Sequence, residues 1–234
     1  MNSSLLPFFR YVVAIGSALL LSAGALAGVA SRAEANPVGG LSGTLTTQNV
    51  SVAVQLGYST REIRVEGQQD DLVYRSRRAV LGVEYGLLHY VNLYAEAGMA
   101  DAELTSGADF QSPLTTQFGG GVKLALLPRT QSLQVILDGE LLYYEPSDQG
   151  MNLKILEYQV AAYAKIPAEG ANIYGGLQYS GARLDGSHGF RAHERDHIGA
   201  FIGADYFVNP NIFFNAEMHI FDQQALFLGV GYRL

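Results

Sequence analysis

Ala225-Leu226-Phe227-Leu228-Gly229-Val230-Gly231-Tyr232-Arg233-Leu234 closes the chain, and counted back from the end every second residue is large and apolar: Leu234, Tyr232, Val230, Leu228 and Leu226. A period of two is that of a β-strand, whose successive side chains point to opposite faces. The other face carries Arg233, Gly231, Gly229, Phe227 and Ala225. A strand with one continuous apolar face and one face mixing charge with glycine separates two different environments.

The same alternation recurs upstream, punctuated by proline. Pro113, Pro128, Pro146, Pro167 and Pro210 all fall between alternating segments, as expected of a residue that removes a ladder hydrogen bond. The segments read as ten strands, over 49–62, 74–87, 91–101, 114–126, 131–144, 153–166, 171–184, 196–208, 211–221 and 225–234. An even number suits a closed antiparallel up-and-down barrel with both termini on one side; eight strands is the alternative. The connections alternate in length. Short ones fall at 88–90, 127–130, 167–170 and 209–210; longer, polar ones fall at 65–73, 102–113, 145–152 and 185–195, with 221–224 as a short fifth loop.

Face chemistry decides which side is out. Val50, Val52, Val54, Leu56 and Tyr58 share one face of the first strand, Leu156, Tyr158, Val160, Ala162, Ala164 and Ile166 one face of the sixth, and Ile212, Phe214, Ala216, Met218 and Ile220 one face of the ninth. Each band matches the roughly nine to eleven residues a tilted strand needs to cross a bilayer. The opposite faces carry Ser51, Gln55 and Gly57, then Glu157, Gln159 and Lys165, then Asn215, Glu217 and His219, a mixture that suits a crowded polar lumen. Composition agrees: there are 27 Gly, 14 Tyr and 11 Phe, no Trp, 16% charged residues, and Lys123, Lys154 and Lys165 are the only lysines. The net charge of -7 argues against nucleic acid. The absence of cysteine removes disulfides, thiolate chemistry and a lipoprotein anchor.

Residues 1–35 read as a cleaved signal peptide: Arg10, an apolar run from Tyr11 to about Ala30, then Ala33-Glu34-Ala35 as an A-x-A site. Residues 36–48 read as a tail and 49–234 as one barrel domain. The terminal strand resembles the C-terminal strand by which Gram-negative outer-membrane β-barrels are recognised for assembly. In size and organisation the chain is similar to the small OmpA-like and opacity-type barrels. It departs from them in ending with Leu234, where most members end in Phe or Trp. The resemblance implies integral residence in the outer membrane, contact with its lipid and lipopolysaccharide, and handling by the barrel-assembly machinery through Leu226, Leu228, Val230, Tyr232 and Leu234. It implies architecture and leaves activity open.

Strand parity sends Arg78, Glu84, Glu96, Lys123, Asp138, Glu140, Glu157, Lys165, Asp205, Glu217, His219 and Arg233 inward. In a narrow lumen such charges are expected to pair, since stranding one is costly. Arg61, Arg64, Arg75, Arg77 and Arg78 form a basic rim on the first hairpin. Arg64, Arg75 and Arg77 point outward by parity, as candidate contacts to lipopolysaccharide phosphates; the competing reading pairs them with Glu62, Glu66, Asp70 and Asp71. The last long loop holds Ser187, His188, His193, Glu194, Asp196 and His197. Asp196-His197, with Asp101 and Glu103, loosely resembles the rim dyads of the omptin proteases, and Ser187-His188 is all that meets a Ser-His requirement. The histidine spacing matches no metal motif, and neither a metal nor a cofactor is expected. The expected role is structural or surface-interacting, with a side-chain-filled polar lumen and an unidentified extracellular ligand. A narrow cation-preferring channel and a rim protease using Asp196 and His197 are the alternatives.

Overall fold

The computed structural model describes residues 47–67, 71–105, 110–127, 133–148 and 150–234. Residues 1–35, read from sequence as a signal peptide, and most of the segment 36–48, read as a tail, lie outside the described residues. Ten long strands form the wall: β1 Val50–Val65, β2 Asp71–Leu88, β3 Val91–Ala100, β4 Thr115–Ala125, β5 Gln134–Tyr144, β6 Met151–Ala168, β7 Ala171–Gly186, β8 Ile198–Phe207, β9 Ile212–Ile220 and β10 Gln223–Arg233. Each pairs antiparallel with its chain neighbours, and β1 pairs with β2 on one edge and β10 on the other, so the ring closes through ten strands and leaves no free edge in the wall. The ten-strand reading stands over eight.

Two expectations need correction. β6 runs through Pro167, which pairs with Asn172 one residue from the strand's end, where the missing N–H costs the ladder least. The long connections are also not simply loops. Residues 102–113 contain short strands Glu103–Thr105, paired with β2, and Phe110–Gln111; residues 185–195 contain a 3-10 turn, Ser187–Gly189, and a strand, Arg191–Glu194.

Lumen packing depends on aromatic rings lying over glycines directly opposite. Phe227 faces Gly57, Tyr94 faces Gly121, Tyr174 faces Gly203 and Phe213 faces Gly231. A Cβ at Gly203 would sit 2.3 Å from the Tyr174 ring and one at Gly231 would sit 2.0 Å from Phe213. These positions require glycine because the ring occupies the space of its side chain, a cross-strand pairing that also fixes register.

The exterior is apolar at mid-height: Val160 is 58% and Leu177 65% exposed. Tyrosines mark both edges of this belt, Tyr58, Tyr143, Tyr158 and Tyr179 toward the outer end and Tyr85, Tyr90, Tyr206 and Tyr232 toward the other, as expected at bilayer interfaces. No described helix is long and apolar enough to cross a membrane; the crossing is made by strands. Above the belt the pattern inverts. β1, β2, β6 and β7, of 16 to 18 residues, outgrow β8, β9 and β10, of 9 to 11. There the inner face is apolar (Ile63, Leu72, Leu104, Leu153, Leu184) and the outer face is charged (Glu62, Arg64, Arg75, Arg183, Asp185). That is the polarity of a water-soluble sheet, and it places this extension outside the bilayer. Arg191–Glu194 pairs with β1 at residues 63–65 and with β7 at residues 183–185, bridging the tops of the shorter strands.

Candidate functional site

The lumen is filled in layers, beginning with an apolar cap at the outer mouth. Ile63 and Val65 of β1, Leu72 and Tyr74 of β2, Leu104, Phe110, Tyr144 of β5, Leu153 and Ile155 of β6, Leu184 of β7 and Ala192 of the bridge all meet in one buried cluster. They arrive from all round the rim, so together they close it. Tyr74, Tyr144, Leu153, Ile155 and Leu184 share the inward parity of the strands read from sequence, but Ile63, Val65, Leu72, Leu104, Phe110 and Ala192 lie where strands were expected to give way to loops, so parity alone did not reveal the closed layer.

Beneath the cap Glu157 accepts from four side chains. Arg78 Nη2 donates at 2.9 and 3.1 Å, Arg61 Nη2 at 3.3 Å, and the Tyr74 and Tyr144 hydroxyls, which also touch each other, at 3.0 and 2.9 Å. Arg61 Nη1 reaches Glu194 at 2.7 Å and Ser180 at 3.2 Å. Asp222, in the β9–β10 turn, accepts from Gln178 and Ser180, each at 2.6 Å. Arg61 is thus a lumen residue, where the sequence reading grouped it with the rim. Its odd number, shared with inward Ser51 and Gln55, was the available signal. Glu194 and Asp222 had none, since parity does not extend through segments read as loops. Burial pushes the Glu194 carboxyl up to about 7, with Arg61 opposing the shift.

At mid-height lies a cavity of about 40 Å³ whose lining includes Gln55, Arg61, Arg78, Glu96, Glu140, Glu157, Gln159, Glu217, His219 and Gln223. His219 Nε2 is 2.6 Å from Glu217 and its Nδ1 is 3.2 Å from the Gln223 amide nitrogen, while its ring stacks on Phe201 and meets Phe227 edge-on. Below this, Lys123 pairs with Glu84 at 2.9 Å, both fully buried, with Asn92 also donating to Glu84 and Tyr94 donating to Asp138 at 3.0 Å. Lys165 faces Asp205 at 3.8 Å, and Asn215 links Asp205 to Tyr174, which donates to Glu217 at 2.8 Å. Arg233 lies over Phe207 and donates to the Pro210 carbonyl at 2.7 Å. All twelve residues assigned inward by parity face the lumen, though they divide into layers joined by tyrosines and amides.

Outside, Arg64, Arg75 and Arg77 point away from the lumen and each holds a carboxylate: Asp71 at 3.2 Å, Glu103 at 3.3 Å and Asp101 at 2.6 Å. Two of these acids come from the β3 side of the wall, not from the hairpin in which partners were sought. Asp70 lies outside the described residues. The residues of the omptin-like constellation have these partners: Asp101 is bound by the Arg77 backbone and side chain and Glu103 by Arg75, while His197 stacks on Tyr179 and contacts the Ser180 carbonyl at 2.9 Å. Asp196 contacts Arg195 at 3.9 Å. Among the described residues no three or more His, Cys, Asp or Glu side chains are grouped to hold a metal.

No protein-family model matches the chain, and no curated protein matches it in sequence. Solved structures do match in fold. An outer membrane channel from Pseudomonas putida F1 aligns with TM-score 0.53 at 11% identity, over 82% of this chain and 97% of that one. The outer membrane protease OmpT from Escherichia coli gives TM-score 0.47 at 11% identity, over 88% of this chain and 99% of that one. Ail, the attachment invasion locus protein of Yersinia pestis, gives 0.34 at 14% identity, over 81% and 100%. At such identities the Pseudomonas likeness shows fold alone. That fold, with the apolar belt and its two tyrosine girdles, makes the chain an integral β-barrel of the bacterial outer membrane.

Proposed function

We propose that this barrel is a non-conducting, non-catalytic outer-membrane protein whose role is structural or surface-interacting and resides in its outer extension. The observation that carries the reading is the apolar cap. A path for ions needs continuous water, and buried Ile63, Leu72, Leu104, Leu153 and Leu184 offer hydrated ions no ligands. Below them the charges of the upper layer are tied to one another through Glu157. Asp101 and Glu103 are held by arginines and His197 is held by the Tyr179 ring and the Ser180 carbonyl, which supports a role other than hydrolysis. Arg64, Arg75 and Arg77, each more than two-fifths exposed along its side chain, are assigned to the outer-leaflet headgroup level, where their free guanidinium edges can take lipopolysaccharide phosphates. Removal of residues 1–35 and assembly through the terminal strand belong to the same reading.

Conductance of the refolded barrel in planar bilayers tests it. The expected record is flat, with at most small and rare openings, and Glu140→Gln leaves it unchanged. A large, steady, cation-selective current in the wild type, reduced by Glu140→Gln, overturns the reading in favour of a channel.

A further inference from the structure

The ion pairs of the lumen, Arg61–Glu157, Arg61–Glu194, Arg78–Glu157, Lys123–Glu84 and Lys165–Asp205, leave out Glu96 and Glu140. These two carboxyls project from β3 and β5 into the central cavity, which both line. Glu96 is 8% exposed. Around them the lining charges do not balance, because Glu96, Glu140, Glu157 and Glu217 face Arg61 and Arg78, with the His219 ring beside Glu217, and Arg78 Nη2 is already shared between both oxygens of Glu157. A surplus of two buried negative charges costs several kcal/mol per ion unless something neutralises it.

The neutral groups lining the same cavity point to an occupant. Gln223 is 2% exposed and its Oε1 has no hydrogen-bond donor; Gln55 is 7% exposed and its Nε2 has no acceptor. An orphaned acceptor and an orphaned donor facing one space are satisfied together by a cation with its water. A volume of about 40 Å³ accommodates an ion with roughly two waters, each needing about 10 to 15 Å³.

We propose that the central cavity is a site for a hard, oxygen-ligated cation, bound between Glu96 and Glu140 with the Gln223 carbonyl and water completing its shell. Calcium fits best. Its charge equals the local surplus, and two carboxylates, an amide oxygen and water approach the six to eight oxygens it takes, in the irregular geometry that it tolerates and magnesium does not. The apolar cap above and the Lys123–Glu84 layer below enclose the site, so the ion enters during folding and leaves slowly.

The test refolds the full barrel in detergent with calcium chloride or with chelator plus choline chloride at equal ionic strength, then passes both through gel filtration in chelator and measures retained calcium and melting temperature. The expected result is about one calcium per chain in the first sample and melting about 5 °C or more lower in the second. The double variant Glu96→Gln/Glu140→Gln should retain none and melt alike under both conditions. Should it not refold, Glu96→Gln alone serves, with wild-type calcium content as the independent readout. A wild type that retains no calcium and melts identically in both, leaving only water or a shared proton in the cavity, overturns the proposal; so does equal retention by the variant, which puts the ion elsewhere. A conducting barrel would overturn the sealed-lumen reading without bearing on calcium content.

Discussion

Glu194 shows how one side chain outside the bilayer ties the rim to pH. It sits on the bridging strand, fully buried in contact area, with Arg61 as its cation. Burial outweighs that partner and pushes the carboxyl from its ordinary 4.5 up to about 7. The folded chain therefore holds a proton on Glu194 between those values where the unfolded chain does not. Stability from this group is full below about 4.5, declines as pH rises toward about 7, and is flat above it, with an upper bound of about 3 kcal/mol. Melting of the wild type against Glu194→Gln across pH 4 to 8 checks the sign. The difference between the two should shrink the wild type's relative stability as pH rises; a difference that grows in its favour, or none, shows that the Arg61 attraction wins.

At the scale of the strand, β6 carries the whole logic of the barrel in adjacent residues. Val160 faces lipid in the belt, while Gln159 borders the acid-rich cavity. Arginine at the bilayer midplane on a barrel exterior costs roughly 2 to 4 kcal/mol, whereas an arginine entering a lumen with surplus carboxylates meets compensating charge. Val160→Arg should impair refolding strongly, and Gln159→Arg should be the milder change, when both are measured by denaturant unfolding in lipid vesicles. The reverse order would mean that the inner and outer faces are exchanged. The same strand crosses from one regime to the other: below Leu156 in sequence its inward Leu153 and Ile155 join the apolar cap, and its outward Lys154 stands among the charges of the extension. One alternating pattern thus serves two opposite polarities, switched where the strand leaves the bilayer.

The whole molecule is a ten-stranded wall around a filled interior, tall on the β1–β2 and β6–β7 sides and low across β8–β10, with Arg191–Glu194 spanning the gap. A wall closed in this way has no hydrogen-bonding edge exposed to lipid, the condition for any sheet to reside in a membrane. On the proposed reading residues 1–35 are a leader removed on export. The mature chain is expected to begin at or near Asn36, after Ala33-Glu34-Ala35, and to fractionate with outer-membrane proteins. N-terminal sequencing of the membrane-bound chain checks this, and recovery of a chain still starting at Met1 in the inner membrane would refute it.

The alternation that recurs along the chain down to Leu234 made ten strands the first reading, with eight left open, and fixed the inward direction of residues as scattered as Arg78, Glu140 and Asp205, because a period of two is a local property and a bilayer enforces it along every strand. Tertiary structure alone decided which charges meet. Glu157 gathers Arg61, Arg78, Tyr74 and Tyr144 from three other strands, Arg75 and Arg77 find acids across the wall beyond their own hairpin, and Glu96 and Glu140 are left lining one cavity. Parity fixes a side chain's face but not its height, and height depends on the stagger of ten strands around a closed ring. The apolar cap and the bridging strand were hidden for a related reason: above the bilayer no lipid enforces the outward apolar face, so the same residues obey the opposite rule.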